Sequence, residues 1–395
     1  MRVLFFPLIT RGPASGTISR CLAIAEHLRS LGNDVFFLTN GHGIELVSEA
    51  GFPFIEGVLP DSPGHLHPLY DLSDVAIFLN LTTETHVRRT LKSEIEAVKH
   101  FCPDVLFSEF NLTAPITAAI VGLPLISTAC SPADSRFAAS ESGGLRSIHH
   151  IEAIMGFNKV LAEHHQQPIA NVSELFFMRS DLKIAPTIPE IEPLLQDVPN
   201  LQYVGYLLDD RRELAPIPGT LLERVGRAKL VFVYLSGSDI GPAEYTDVLP
   251  QAFDNTEFHV ITAVGNHPDL PDLPPKTANV IYVRYVPGRS ILKHSQALIF
   301  HGGQNTAMAS IIHKVPSLIF PGTDFERNFN ASSLDRIGVG MKCELCEFSP
   351  EKLLQNVRAL ASPHFHEAAD KYSKQIQQLG GARQAAELIM SKYRG

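Results

Sequence analysis

At 395 residues the chain has length for two or three domains, and its 45% hydrophobic and 19% charged residues exclude wholesale disorder and fibrous repeats. Its 33 Lys and Arg against 42 Asp and Glu leave a net charge of −9, a balance that opposes non-specific nucleic-acid binding. Tryptophan is absent.

The N-terminus, one Arg followed by Val3-Leu4-Phe5-Phe6, reads as a first buried strand over 3–6 rather than a signal peptide. A Gly-containing loop at 11–16 follows. Next comes a helix over 18–31, with Ile18, Leu22, Ala25 and Leu28 on one side and Gly32 just past its end. Further strands are predicted at 35–38, 105–107, 124–127, 230–234, 258–262, 280–282, 297–300 and 317–320, with helical stretches between them. That alternation is the pattern of parallel α/β units. Strand 230–234, like strand 3–6, runs straight into a Gly loop, Ser236-Gly237-Ser238, so the chain starts an open α/β sheet twice. A Pro-rich, charged stretch near 190–222 separates the two halves, and Gly380-Gly381 allows a redirection before a last helix. The expected domains are therefore 1–213 and 214–379, followed by a helix at 380–395.

No apolar run approaches the ~20 residues needed to span a membrane. The five cysteines are odd in number and scattered, and Cys343-Glu-Leu-Cys346 lacks the second pair that would complete a zinc site. The expectation is a soluble cytoplasmic protein with no nucleic-acid partner and no transmembrane segment.

The most informative stretch is His301-Gly302-Gly303-Gln304-Asn305-Thr306, which follows a buried strand and opens a helix running to Ile312. Glycines let the backbone approach a ligand, and a helix N-terminus offers N–H groups and a positive dipole end. Asn305 and Thr306 add donors and His301 an imidazole. Such a construction cradles a diphosphate without a metal; taken alone, it also serves as a tight βα turn.

In order and spacing, Tyr285-Val286-Pro287, Ile291-Leu292, His301-Gly302-Gly303, Val315-Pro316, Asn330-Ala331 and Gly338-Val339-Gly340 resemble the donor signature of the UDP-glycosyltransferase family, in particular its bacterial natural-product branch. The resemblance implies an α/β protein of the GT-B fold, two Rossmann-like doubly wound domains facing a central cleft. Residues 1–213 would bind the acceptor, 214–379 would bind the nucleotide sugar, and 380–395 would cross back to the first domain. It also implies no cofactor, no metal, a dTDP- or UDP-sugar as co-substrate and a small-molecule acceptor, and it is compatible with a homodimer. Val286 would present its main chain to the base, and Tyr285 stands where the family usually stacks a Trp. Gly16, Ser238, His301, Gly302, Gly303, Asn305 and Thr306 would hold the donor, chiefly its diphosphate. Asp324, Glu326 and Arg327 are the candidates for reading the sugar, with Glu326 the best of them. Ala309 replaces the Glu that binds both ribose hydroxyls in many members, which leans the reading toward a deoxyribose donor.

The family's catalytic His is missing. Aligned on Ile24-Ala25, Leu28 and Gly32, its place is taken by Gly16-Thr17, and the supporting Asp becomes Glu109. A threonine hydroxyl is far too weak an acid–base group to act as general base near neutrality. Either another residue is the base, with Glu109, His65 and His67 the candidates, or the acceptor is already anionic or an amine, or the chain binds without turnover. Arg20 faces donor phosphate or makes an ion pair within its own domain. The reading is an inverting, metal-independent glycosyltransferase acting on a natural product. Its alternatives are a nucleotide-sugar hydrolase and a non-catalytic binding relative.

Overall fold

The first strand, β1 (Arg2–Pro7), carries apolar side chains on both faces, which suits a parallel sheet covered by helices on each side. It lies third in a seven-stranded sheet of order β3-β2-β1-β4-β5-β6-β7, all parallel. The others are β2 (Asp34–Thr39), β3 (Phe54–Glu56), β4 (Val105–Glu109), β5 (Leu125–Thr128), β6 (Leu182–Ala185) and β7 (Leu201–Tyr203). Val3 and Phe5 pack with Leu22, Ala25 and Leu28 of α1 (Gly16–Ser30), and Phe5 stacks on Phe37 and Phe107 at 5.1 and 4.6 Å between ring centres. Leu4 and Phe6 point the other way, into a core completed by later helices of the same unit. Those helices are α4 (Glu84–Phe101) and α5 (Ala114–Val121), and the unit also contains α2 (His42–Glu49), α3 (Leu72–Phe78) and α6 (Ser147–Glu163).

The computed structural model describes residues 1–9, 16–60, 69–137, 147–207, 215–226, 229–265, 272–273 and 276–393. The chain divides into two units, Met1–Asp209 with Leu379–Gly395, and Asp210–Gln378. The second unit holds six parallel strands in the order β10-β9-β8-β11-β12-β13. They are β8 (Lys229–Tyr234), β9 (Phe258–Ala263), β10 (Val280–Val283), β11 (Ser295–Phe300), β12 (Ser317–Ile319) and β13 (Gly340–Lys342). Its helices are α7 (Gly219–Val225), α8 (Pro242–Phe253), α9 (Gly288–Leu292), α10 (Gln304–Ile312), α11 (Phe325–Arg336), α12 (Pro350–Ala359) and α13 (Pro363–Gln378).

Each strand expected from the sequence is present, with ends moved by one or two residues. Four more were not expected. Strands β3, β7 and β13 span three residues each, too short to show a period. In β6 the apolar run is broken by Lys183, which is nonetheless buried because its Nζ donates to the carbonyls of Ser180 and Pro199 at 2.7 and 3.1 Å.

The last helix, α14 (Gly381–Tyr393), packs its Ala382, Ala385, Ala386 and Ile389 into the same core as α1. Gly381 donates its N–H to Val204 O at 2.7 Å with φ +58°, and a Cβ there would stand 2.5 Å from Tyr206 O. Only glycine fits that crossing. None of the five cysteines is in a disulfide, and burial pushes the Cys343 thiol up to about 12. Among the described residues no helix is long and apolar enough to cross a membrane.

Candidate active site

In each sheet the strand order reverses once, between β1 and β4 and between β8 and β11. The loops leaving adjacent strands diverge at such a point, and the crevice beyond the strand C-termini is where open α/β sheets bind ligands. Both sets of candidate residues fall there, each within its own unit.

In the second unit, β8, β11 and β12 end side by side at Tyr234, Phe300 and Ile319. The turn after β11 is His301-Gly302-Gly303. Gly302 has φ +92°, and a Cβ on it would meet Arg327 O at 2.9 Å. Asn330 Nδ2 donates to Gly302 O at 2.9 Å and fixes the turn. Gly303 is the N-cap of α10 and supplies no side-chain cap. By contrast, Asp324 caps α11 by accepting from Arg327 N at 3.0 Å. The Arg327 side chain reaches back to the loop after β8 and donates Nη1–H to Gly237 O at 2.7 Å. Asp239 ties the same loop to the one after β12, accepting from Thr323 N and Oγ1 at 2.8 and 3.0 Å. Ser238 donates its hydroxyl to Ile240 O at 3.1 Å.

His301 is 9% exposed. Burial, reinforced by the Arg327 charge, pushes its imidazole down to about 3, so it is neutral at any physiological pH. Its Nδ1 is buried without a hydrogen-bond partner. A buried polar atom left unmatched is costly and calls for a ligand or water. Tyr285 stands 75% exposed just after β10, beside buried Val286, as a bare aromatic surface.

In the first unit, Leu8 links the two candidates for proton chemistry. Thr17 donates Oγ1–H to Leu8 O at 2.8 Å, and Leu8 N donates to Glu109 O at 2.8 Å. Glu109 is fully buried at the end of β4, and its Oε1 accepts from Arg20 Nε and Nη2 at 3.0 and 2.6 Å. Arg20 therefore makes an ion pair within its own unit. The next residue, Phe110, holds a left-handed backbone at φ +59°, a conformation disfavoured for an aromatic residue and common at functional turns. His65 and His67 lie outside the described residues. Among those described, no three His, Cys, Asp or Glu side chains converge as a metal site.

Residues 249–378 match the model of the erythromycin biosynthesis protein CIII-like C-terminal domain. Over 383 residues the chain is 24% identical to the NDP-glycosyltransferase YjiC of Bacillus subtilis (strain 168), covering 95% of this chain and 94% of that one. The glycotransferase of kitacinnamycin superposes with a TM-score of 0.79 at 17% identity, over 99% of both chains. The glycosyltransferase SsfS6 of Streptomyces sp. SF2575, complexed with thymidine diphosphate, gives 0.69 at 18% identity, again over 99% of each.

The chain has the GT-B fold.

Of the donor candidates in this GT-B chain, His301, Gly302, Gly303, Asp324 and Arg327 are joined by direct contacts, with Ser238 on the adjoining loop. Asn305 and Thr306 lie in the first turn of α10, and Glu326 in that of α11. Ala309 is 3% exposed, within the core side of α10. Gly16 opens α1.

A buried polar cluster in the first GT-B unit was not read from the sequence. Glu94 of α4 is completely buried and accepts from Asn111 Nδ2 at 3.0 Å, Thr113 Oγ1 at 2.5 Å and the Thr117 hydroxyl. Burial outweighs these bonds and pushes the carboxyl up to about 7. Its folded value lies above the unfolded one, so the folded chain holds a proton that the unfolded chain releases between roughly pH 4 and 7. Stability from this group is thus greatest at low pH and lost as pH rises through 7. Between pH 5 and 8 the wild type is expected to lose about 2–3 kcal/mol more than Glu94→Gln, measured by urea unfolding at several pH values. Parallel pH curves for the two would contradict this.

Proposed function

We propose that this protein transfers a sugar, with inversion and without a metal, from a dTDP- or UDP-activated donor to a hydroxyl of a small natural product. The observation that carries the reading is the cradle after β11. Gly302 and Gly303 open α10 with no side-chain cap, and buried His301 keeps an unmatched Nδ1 beside the Arg327 guanidinium. A diphosphate would be met by the helix N-terminus, one cation and a neutral imidazole. These contacts strengthen as the sugar–phosphate bond breaks and negative charge grows on the departing diphosphate, which lowers the barrier. Tyr285 would stack the base and the Val286 main chain would read its edge. Glu326, in the first turn of α11, would be the preferred contact for sugar hydroxyls, as the motif spacing suggests. The buried Ala309 and the thymidine diphosphate in the SsfS6 structure support a deoxyribose donor over a ribose one.

A second reading, binding without turnover, is favoured by Thr17 and Glu109, both engaged by protein partners. Incubation with dTDP- and UDP-sugars, with and without a panel of phenolic and alcoholic acceptors, separates the readings. Nucleotide release only with acceptor is the expected result. Release without acceptor indicates hydrolysis, and tight binding with no release indicates a binding protein. The double variant His301→Ala, Thr306→Ala is expected to weaken nucleotide binding about 100-fold.

A further inference from the structure

The Gly302–Gly303 peptide is held at one end. Asn330, midway along α11 and 3% exposed, places a side-chain atom 2.9 Å from Gly302 O. A carbonyl oxygen only accepts, so that atom is the amide nitrogen and its N–H is the donor. Gly302 itself rests on α11 and β12: a Cβ on it would stand 2.9 Å from Arg327 O and 3.3 Å from Ile319 Cγ2. Its carbonyl is thus turned inward, toward α11.

A trans peptide is planar, and its C=O and N–H point in opposite directions. With Gly302 O turned to Asn330, the Gly303 N–H is turned away from α11. That N–H makes no hydrogen bond among the described residues, and Gly303 is half-buried where Gly302 is buried. It therefore lies on the open side of the turn, at the head of α10, as an anion site requires. The local chain does not enforce this choice. Glycines stand on both sides of the peptide bond, so ψ of Gly302 and φ of Gly303 can turn together and flip the peptide at little steric cost. A flipped peptide would offer the diphosphate a carbonyl oxygen in place of an N–H.

We propose that Asn330 is a positioning residue for the donor site, locking the Gly302–Gly303 peptide with its N–H toward the diphosphate. The inference rests on the reading of the turn after β11 as a diphosphate cradle. Asn330 acts through the peptide rather than by contact with the nucleotide. Of the elements around α11, α10 and β12 carry no titratable group, and β13 carries Lys342, which donates to Ser332 Oγ at 3.3 Å. His301 in the turn is neutral. On α11 itself, Arg327 is directed to Gly237 O, Asp335 accepts from Lys342 N at 3.3 Å, Glu326 lies in the first turn and Arg336 in the last.

Two variants separate orientation from mere support. Asn330→Ala removes the donor and leaves the peptide free to turn. Asn330→Asp keeps the shape, but its ionised carboxylate repels Gly302 O and drives the flip. When protonated, the same carboxyl donates to Gly302 O as the amide does, and burial raises its pKa toward neutrality. Binding of dTDP is measured by isothermal titration from pH 5 to pH 8, with each variant compared with the wild type at the same pH because the diphosphate itself titrates. Asn330→Ala is expected to bind about tenfold more weakly throughout. Asn330→Asp is expected to bind about 50-fold more weakly at pH 8 and within about threefold of the wild type at pH 5, so the two variants change order. In protein labelled with 15N-glycine, the Gly303 amide resonance moves on adding dTDP to the wild type and is unmoved in Asn330→Asp at pH 8. Affinity within threefold of the wild type for both variants at pH 8, or an Asn330→Asp deficit equal at pH 5 and pH 8, overturns the proposal. Wild-type protein that binds neither dTDP nor UDP overturns the cradle reading itself.

Discussion

Arg20→Ala is expected to destabilise the first unit by about 3–5 kcal/mol, because it leaves the Glu109 carboxylate buried without its counter-charge. The pair is enclosed, with side-chain exposures of 7% and 0%, so solvent does little to screen its loss. Water cannot replace the guanidinium without opening the junction of β1, β4 and α1. Arg20→Met combined with Glu109→Leu is expected to recover most of the loss, since an apolar pair of similar volume has no desolvation to offset. Urea unfolding of the two variants and the wild type measures both effects. A cost below about 1 kcal/mol for Arg20→Ala would mean that the carboxylate is hydrated or protonated at no penalty.

Gly302→Ala is expected to weaken dTDP and UDP binding at least 100-fold, about 3 kcal/mol. The backbone at φ +92° is one that L side chains rarely adopt. The added Cβ would stand 2.9 Å from Arg327 O and 3.3 Å from Arg327 Cβ. A main-chain oxygen inside α11 cannot swing aside as a side-chain tip would. The turn itself must shift, moving His301 and the start of α10 away from the guanidinium that faces them. Isothermal titration with each nucleotide checks the expectation, and affinity within threefold of the wild type would defeat it.

Much of the second site is legible in the sequence because it is local. His301 to Thr306 are consecutive, so strand end, glycine turn and helix start can be read together, and Tyr285 and Val286 stand one short element upstream. The nine expected strands are legible for a similar reason, since a strand buried on both faces must be a continuous apolar run. Where burial is achieved otherwise the reading fails. Lys183 hides in β6 because two carbonyls receive its ammonium, and nothing in the local pattern announces them.

The first site is legible only in part. Thr17 marks the loss of the expected base, but the fate of its hydroxyl depends on Leu8, nine residues away in the chain. Arg20 and Glu109 are 89 residues apart and meet because α1 and β4 both pack on β1. Glu94, Asn111, Thr113 and Thr117 converge from α4 and from the segment running from the end of β4 into α5.

By itself, the sequence determined that this is a parallel α/β protein begun twice, with a glycine turn opening a helix at 301–306 and no histidine at 17. Those features are set by residues close together in the chain, through backbone conformation and hydrophobic period. The tertiary structure alone decided the charge states and the partners. Only folding brings Arg327 to His301, Arg20 to Glu109 and the Asn111–Thr117 segment to Glu94. Burial then decides which of these groups is neutral, which is paired and which retains an unmatched acceptor.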